Sequence, residues 1–219
     1  PRVIELISDY NNATVAPSRA YYYFLPKGIH AAVNGQIGNL LRLNLSEHHS
    51  AWIAEHNVIQ LPAGTPYPES TIPVVRVKRV GQHSVIKLFM SEKIPFVIHQ
   101  TSEKQMQLFL FGGISDTDWI RFENKDDEIE SVTWSQPENH VYQLTVRLKH
   151  PHTWGYETAY DGTNFVWTIH HKPKTSGLKG LKICVDPGHS KDWGATGPRG
   201  NTEKQMNVEV ALKLKKELE

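Results

Sequence analysis

The chain has 219 residues, 39% of them hydrophobic and 21% charged, with a formal charge of +1. That balance belongs to a folded chain of one or two ordinary domains, a count small modules can raise, and excludes a disordered chain. No basic tract dominates either half, which removes the electrostatic case for nucleic acid as a partner. The one cysteine, Cys184, excludes a disulfide-stapled mini-domain without fixing the compartment. No stretch nears the roughly 20 apolar residues that cross a bilayer as a helix, so no transmembrane segment is expected.

The opening "PRVIELISDY" has neither an initiator Met nor a charged-then-apolar leader, and reads as a processed or cut N-terminus. Two breaks then divide the chain. "LPAGTPYPESTIP" (61–73) holds four prolines, and "HKPKTSGLKG" (171–180) is basic and poor in apolar residues. Neither offers a buried face or a sustained period, so both read as linkers. The expected domains are 1–62, 72–172 and 178–219.

Residues 1–62 are short and β-like. Asn34-Gly35 in "AAVNGQIGNLLRLNL" predicts a tight hairpin turn, and "LLRLNL" and "SAWIAEHNVIQL" supply further strands. So few residues in short strands suit a small β-barrel, whose closure removes exposed edges.

Residues 72–172 carry the clearest strand signal. In "HVYQLTVRLK", Tyr142, Leu144, Val146 and Leu148 alternate with polar residues; Phe165, Trp167 and Ile169 do the same in "NFVWTIHH". "SVIKLFMS" and "MQLFLFGG" are apolar on both faces, which predicts interior strands. With turn-rich stretches such as "GGISDTD" and "ENKDDEIES" between them, the pattern predicts a β-sandwich.

Residues 178–219 change character. "LKICV" is a continuous apolar run, the mark of a strand buried on both faces of a parallel sheet, with Cys184 as a small core residue. Thr202 and Gln205 form a capping box that starts a helix at 202–203. Met206, Val210, Leu214 and Leu218 recur every four residues as its expected buried stripe, and Lys213, Lys215 and Lys216 sit at the end the helix dipole favours for cations. The whole predicts a mainly β chain: a barrel and a sandwich, then the first strand–loop–helix step of an α/β domain. One strand and one helix bury no core, so this last part reads as a fragment.

Ligands of open α/β sheets gather beyond the carboxyl ends of the strands, where Asp186, His189 and a glycine-rich loop fall. Gly188, Gly194, Gly197 and Gly200 let that loop fold back, and Glu203 enters at the first helical turn. An imidazole nitrogen and a carboxylate oxygen suit zinc, and catalytic zinc commonly takes three protein ligands and keeps one position open. The helix dipole also keeps Glu203 ionised. The same residues also fit a plain turn histidine and a dipole-friendly carboxylate, the less favoured reading. A phosphate cradle is disfavoured, since neither G-x-x-x-x-G-K-[ST] nor G-x-G-x-x-G occurs here.

"ICVDPGHSKDWGATGPRGNTEKQMNVEVALKLKKEL" resembles the start of the zinc-dependent N-acetylmuramoyl-L-alanine amidases that cleave bacterial peptidoglycan. That family opens with a strand, an Asp-Pro-Gly-His turn, a glycine-rich loop, and a Glu followed by Asn at the helix start. Here these elements are Asp186-Pro187-Gly188-His189, the loop 190–201, Glu203 and Asn207; the Gly that usually follows the histidine is Ser190. The resemblance implies that His189 and Glu203 are the first two zinc ligands. It also implies hydrolysis of the amide between the lactyl group of muramic acid and L-alanine, by a water activated at zinc. The family's third ligand, a histidine, and its catalytic glutamate lie further along than residue 219, so no catalytic residue is assigned and the 219 residues alone are expected to be inactive.

Residues 1–62 are similar to bacterial Src-homology-3-like modules, on "VAPSRAYYYFLPKG" and the strands after it. Residues 72–172 are similar to AMIN-like domains, which commonly precede such amidase domains. These resemblances imply wall-targeting modules and an exported protein of the bacterial envelope, in the periplasm or cell wall. The rival expectation is a wall-binding module with no catalysis of its own.

Trp154, Tyr156 and Tyr160 could form a stacking platform for sugar rings or plug the end of the sandwich; Tyr21, Tyr22 and Tyr23 face a similar choice between peptide groove and barrel wall. The pairs His48-His49, His150/His152 and His170-His171 lack a metal-binding frame and read as solvated; neighbours such as His170 and His171 point to opposite strand faces. No G-x-S-x-G elbow supports a serine nucleophile.

Overall fold

The computed structural model describes residues 2–151, 153–175 and 177–219. Strands take up 50% of the residues and helix 9%, which makes the chain mainly β, in three sheets. It divides into two compact units, Pro1–Lys172 and Pro173–Glu219, with the boundary inside the basic linker expected at 171–180. No helix among the described residues is long and apolar enough to cross a membrane.

The first sheet holds β1 (Arg2–Leu6), β2 (Asn11–Thr14), β3 (Tyr21–Leu25), β4 (His30–Ile37), β5 (Leu40–Asn44), β6 (Ser50–Ala54) and β7 (Val58–Gln60). Their order is β3-β2-β6-β5-β4-β1-β7, and every pairing is antiparallel. Among the described residues no ladder joins β3 to β7, so hydrogen bonding does not close the barrel expected for 1–62. β7 is three residues long and bonds only β1, which leaves little edge to close with.

The hairpin turn also lies elsewhere than expected. Asn34-Gly35 falls inside β4, where the register with β5 slips between Val33 and Gly35, and Asn34 Oδ1 accepts from Arg42 Nε at 2.7 Å. The chain reverses at Gly38-Asn39, between paired Ile37 and Leu40, with Gly38 at φ 55°. Positive φ at the first of two loop residues is what a mirror-image hairpin turn demands, and glycine adopts it without strain. The Asn-Gly pair thus marks a bulge, the other common site of such residues in a strand.

The rest of this unit forms β8 (Ser70–Val80), β9 (His83–Leu88), β10 (Phe96–Ser102), β11 (Gln105–Phe111), β12 (Gly113–Phe122), β13 (Ile129–Glu138), β14 (Val141–Leu148), β15 (Tyr156–Asp161) and β16 (Asn164–His170). They build a four-stranded sheet, β10-β11-β14-β13, and a five-stranded sheet, β12-β8-β9-β16-β15. β9 and β11, apolar on both faces, are interior strands as expected. Tyr142, Leu144, Val146 and Leu148 on β14, and Phe165, Trp167 and Ile169 on β16, are all buried. The sheets touch through the Phe96 and Phe165 rings, 4.7 Å between centroids, and through the Thr117 and Tyr142 hydroxyls at 3.0 Å.

The proline-rich break is shorter than expected, because β8 already begins at Ser70. Pro73 lies in β8 where its register with β12 slips, between Ser115 and Trp119. A residue with no N–H cannot continue a ladder, so it falls where the ladder is interrupted.

The second unit contains α1 (Glu203–Leu218), which starts where the capping box requires: Thr202 accepts from Gln205 N–H, and the Gln205 side chain accepts from Thr202 N–H. Two expectations fail here. Residues 181–185 form no strand and Cys184 is exposed, because among the described residues no strand lies beside them to complete a sheet. No residue of α1 is fully buried, and Met206, Val210 and Leu214 are exposed. Its half-buried positions are instead Thr202-proximal Lys204, then Asn207, Ala211 and Leu218. Asn207 Nδ2 donates to Pro187 O and Lys204 Nζ to Ser190 O, and these bonds turn that face toward the loop.

Candidate metal centre

Loop 186–202 is shaped by short-range polar bonds rather than by burial. Gly188 N–H bonds back to Asp186 Oδ1, Gly197 N–H to Asn201 O, and Thr196 bridges Thr202. Glu203 N–H donates to Ala195 O at 2.8 Å, which seats the helix start against the returning loop. The Lys204 ammonium lies 5.3 Å from the Trp193 ring centroid, a cation–π contact that fastens the loop to α1.

The closure brings the two predicted ligands together. His189 Nε2 and Glu203 Oε1 are 3.2 Å apart, although 14 positions separate them in sequence. Two ligands on a tetrahedral zinc with bonds of roughly 2.0–2.1 Å stand about 3.3 Å apart, so this separation fits a shared ion. The other carboxylate oxygen, Oε2, accepts from Ala195 N–H at 3.0 Å, which leaves Oε1 to face the imidazole. On the far side of the ring, Nδ1 bonds Asp192 Oδ1 at 2.6 Å, and that oxygen also accepts from Gly194 N–H at 2.8 Å. An open cavity of about 510 Å³ borders Glu203, lined also by Ala195, Pro198, Arg199 and Asn207.

Gly194 sets how closely the pair can meet. A Cβ there would lie 2.7 Å from Glu203 Oε2 and 2.9 Å from His189 Cε1, and its φ of 64° is left-handed. Only glycine satisfies both constraints. His189 is itself left-handed, at φ 52°, directly after Gly188 at 72°. Two such residues in succession swing the ring back over the loop.

The charges reinforce one another. Hydrogen bonds to Asp192 and then to Glu203 raise the His189 imidazole above its ordinary pKa. The bond from His189 holds Asp192 below its ordinary pKa, and the Ala195 N–H followed by His189 does so for Glu203. With one ring proton held by Asp192, the contact between Nε2 and Oε1 needs a second positive species, a proton or a metal cation. That donor chemistry fits zinc, and His189 and Glu203 are the residues that would hold it. No group of three or more His, Cys, Asp and Glu side chains able to hold a metal ion occurs among the described residues.

Asp192 was not among the residues singled out from sequence, whereas Gly194 was one of the glycines expected to let the loop fold back. The signal was the His-x-x-Asp spacing inside a glycine-rich loop, which brings a carboxylate back to the histidine that precedes it.

The aromatic candidates divide. Tyr160 and Tyr23 pack into the core region, Tyr160 OH donating to Ile94 O at 2.7 Å, whereas Trp154, Tyr156, Tyr21 and Tyr22 are exposed. Tyr160 therefore belongs to the packing and not to an open platform. Tyr22 OH lies 2.6 Å from His99 Nε2, tying β3 to β10.

Of the histidine pairs, His48, His49 and His150 are exposed, as expected. His152 lies outside the described residues. His49 meets Ser46 and Glu138, and His170 meets Glu157. His171, expected in solvent, is buried against Ser84 Oγ at 2.7 Å, while Ser84 donates to Asp126 Oδ2 at 2.7 Å. The hydroxyl proton goes to Asp126, so His171 Nε2 must donate to Ser84 Oγ. The order is histidine to serine to aspartate, opposite to that of an activated nucleophile. It is a structural clamp. No protein-family model matches the chain, and no curated protein matches it in sequence.

Proposed function

We propose that the chain belongs to a bacterial cell-wall hydrolase, and that residues 178–219 open its zinc-dependent N-acetylmuramoyl-L-alanine amidase domain. The observation that carries this reading is the 3.2 Å approach of His189 Nε2 to Glu203 Oε1, within the order Asp-Pro-Gly-His, glycine loop, Glu. Bound zinc would polarise the amide between muramic acid and L-alanine and make a water nucleophilic near neutral pH. His189 and Glu203 hold the ion, while the Ala195 N–H occupies the second Glu203 oxygen and so presents the first. The third ligand and the proton-shuttling glutamate that such an enzyme requires are not assigned within residues 1–219.

Further support is the apolar surface left open in this unit. A groove of about 440 Å³ runs between α1 and residues 178–187, lined by Leu181, Ile183, Val208 and Leu212 among others. Met206, Val210 and Leu214 point elsewhere, so α1 is apolar on two sides, as suits a helix enclosed in a larger domain. The 1–62 sheet is then the Src-homology-3-like module, and the two sheets of 72–172 the AMIN-like sandwich. Both act in the envelope, with peptidoglycan as partner.

Zinc titrated into the 219-residue chain should bind at one site that His189→Ala and Glu203→Ala each abolish. Binding untouched by both substitutions sinks the reading. The non-catalytic alternative is favoured by the exposed Trp154, Tyr156, Tyr21 and Tyr22. It predicts that the chain sediments with purified peptidoglycan yet binds no zinc at His189 and Glu203.

A further inference from the structure

The geometry points to Asp192 as the positioning residue that decides whether His189 and Glu203 form a hydrogen bond or a metal chelate. This rests on the zinc reading. A neutral imidazole carries a single N–H, and two carboxylates face its two nitrogens. If the proton sits on Nε2, it is donated to Glu203 Oε1, and the nitrogen meant for the metal has no free lone pair. If it sits on Nδ1, the Nε2 lone pair faces Glu203 Oε1, and the two electron-rich atoms together invite a cation.

The distances favour the second arrangement. Asp192 Oδ1 lies 2.6 Å from Nδ1, whereas Glu203 Oε1 lies 3.2 Å from Nε2. Asp192 is also fixed in place, since the same oxygen accepts from Gly194 N–H at 2.8 Å. Glu203 divides its capacity, its other oxygen being bonded to Ala195 N–H. Asp192 therefore holds the ring proton on Nδ1 and aims Nε2 at the space shared with Glu203. It touches neither substrate nor metal and acts wholly through the ring, as carboxylates behind metal-binding histidines generally do.

The test uses the full 219-residue chain as wild type, Asp192→Ala and Asp192→Asn. Nitrogen NMR of the His189 ring is recorded without metal, at a pH high enough for the ring to be neutral. Zinc alone is then titrated against a chromophoric chelator. Wild type should carry its proton on Nδ1. Asp192→Ala should move it to Nε2 and weaken zinc about 10–100-fold. Asp192→Asn should keep it on Nδ1 and restore most of the affinity, because the Gly194 N–H holds the amide oxygen toward the ring. A purely structural role for Asp192 would not move the tautomer.

A wild-type ring protonated on Nε2, or an Asp192→Ala chain with unchanged tautomer or unchanged zinc affinity, overturns the proposal. The His189→Ala and Glu203→Ala chains separate the two failures. If both still bind zinc as wild type does, the zinc reading falls, and the tautomer measurement alone decides whether Asp192 orients the ring.

Discussion

The two units of this chain are ordered by different forces. Among the described residues, every buried hydrophobic one lies at or before Ile169, in the β unit, while α1 contains none. Yet the second unit is well supplied with local polar bonds: a complete capping box, an isolated bridge and a loop hydrogen-bonded to its own helix. Hydrogen bonds and glycines can thus specify a loop's shape where no core forms. They contribute little net stability in water, about 0.5–1.5 kcal/mol each, whereas burying a large side chain contributes about 1.5–3 kcal/mol. The candidate site therefore sits in the unit that burial supports least.

The sharpest way to break this comparison is to open a cavity in the β unit. Trp167 is fully buried on interior strand β16, against the edge of the Tyr156 ring. Trp167→Ala should lower the stability of the β unit by about 3–5 kcal/mol, read from its denaturant midpoint. Leu212→Ala, on the open groove of α1, should leave that midpoint unchanged. A loss below about 1 kcal/mol for Trp167→Ala would mean that the core is not what holds this unit.

The second unit should respond through geometry rather than stability. Gly194→Ala places a methyl group 2.7–2.9 Å from Glu203 and His189 atoms, at a φ that L-residues resist. It should abolish zinc binding as fully as His189→Ala does, with no change in the melting of the β unit. Zinc affinity at the wild-type level in Gly194→Ala would show that the two side chains need not converge.

What the sequence disclosed follows the same division. Period-2 alternation in 140–149 and 164–171 identified residues that are all buried, because alternation directly reports a two-sided strand environment. The capping box was legible because it is a contact between residues three apart. The strand at 181–185 was misread because an apolar run states what a segment needs, not whether neighbours are present to provide it. Asn34-Gly35 was misplaced because turns and bulges both want permissive residues, and only pairing with β5 distinguishes them. The convergence of His189 and Glu203 was recoverable from motif order. Asp192 was overlooked because its role depends on a ring orientation set by two left-handed residues. His171 was placed in solvent because its partners, Ser84 and Asp126, are far away in sequence.

That buried histidine makes the β unit sensitive to acid. Burial is the main cause holding His171 below its ordinary pKa of 6.5; Asp126 works against it, while Arg79 and His83 add to it. In the range between the lowered folded value and 6.5, the unfolded chain binds the proton that the folded chain resists. Stability is therefore full above about 6.5 and declines as pH falls below it. The denaturant midpoint of the β unit should drop between pH 7.5 and pH 5.5, conditions chosen to span roughly one unit either side of that value. His171→Gln, whose amide can still donate to Ser84, should flatten that drop. An equally steep drop in the variant would assign the acid sensitivity to other groups.

The smallest effect sharpens the comparison most. Removing a helix N-cap hydroxyl typically costs about 1 kcal/mol. In the β unit such a loss would be a modest fraction of the whole. In α1 it should be visible, because a 16-residue helix with no buried residue stands near the length at which isolated helices are marginal, about 12–15 residues. Thr202→Ala removes the acceptor for Gln205 N–H and the hydroxyl that donates to Gln205 Oε1, and leaves only the backbone N–H of residue 202 to hold the Gln205 side chain. The first turn, which carries Glu203, should fray. The helical circular dichroism signal and zinc affinity should then fall together, while the β unit's midpoint stays put. Restoring the hydroxyl as Thr202→Ser should recover both. If Thr202→Ala leaves the helical signal intact, α1 draws its stability from contacts beyond its own cap, and the contrast between the two units is smaller than their burial implies.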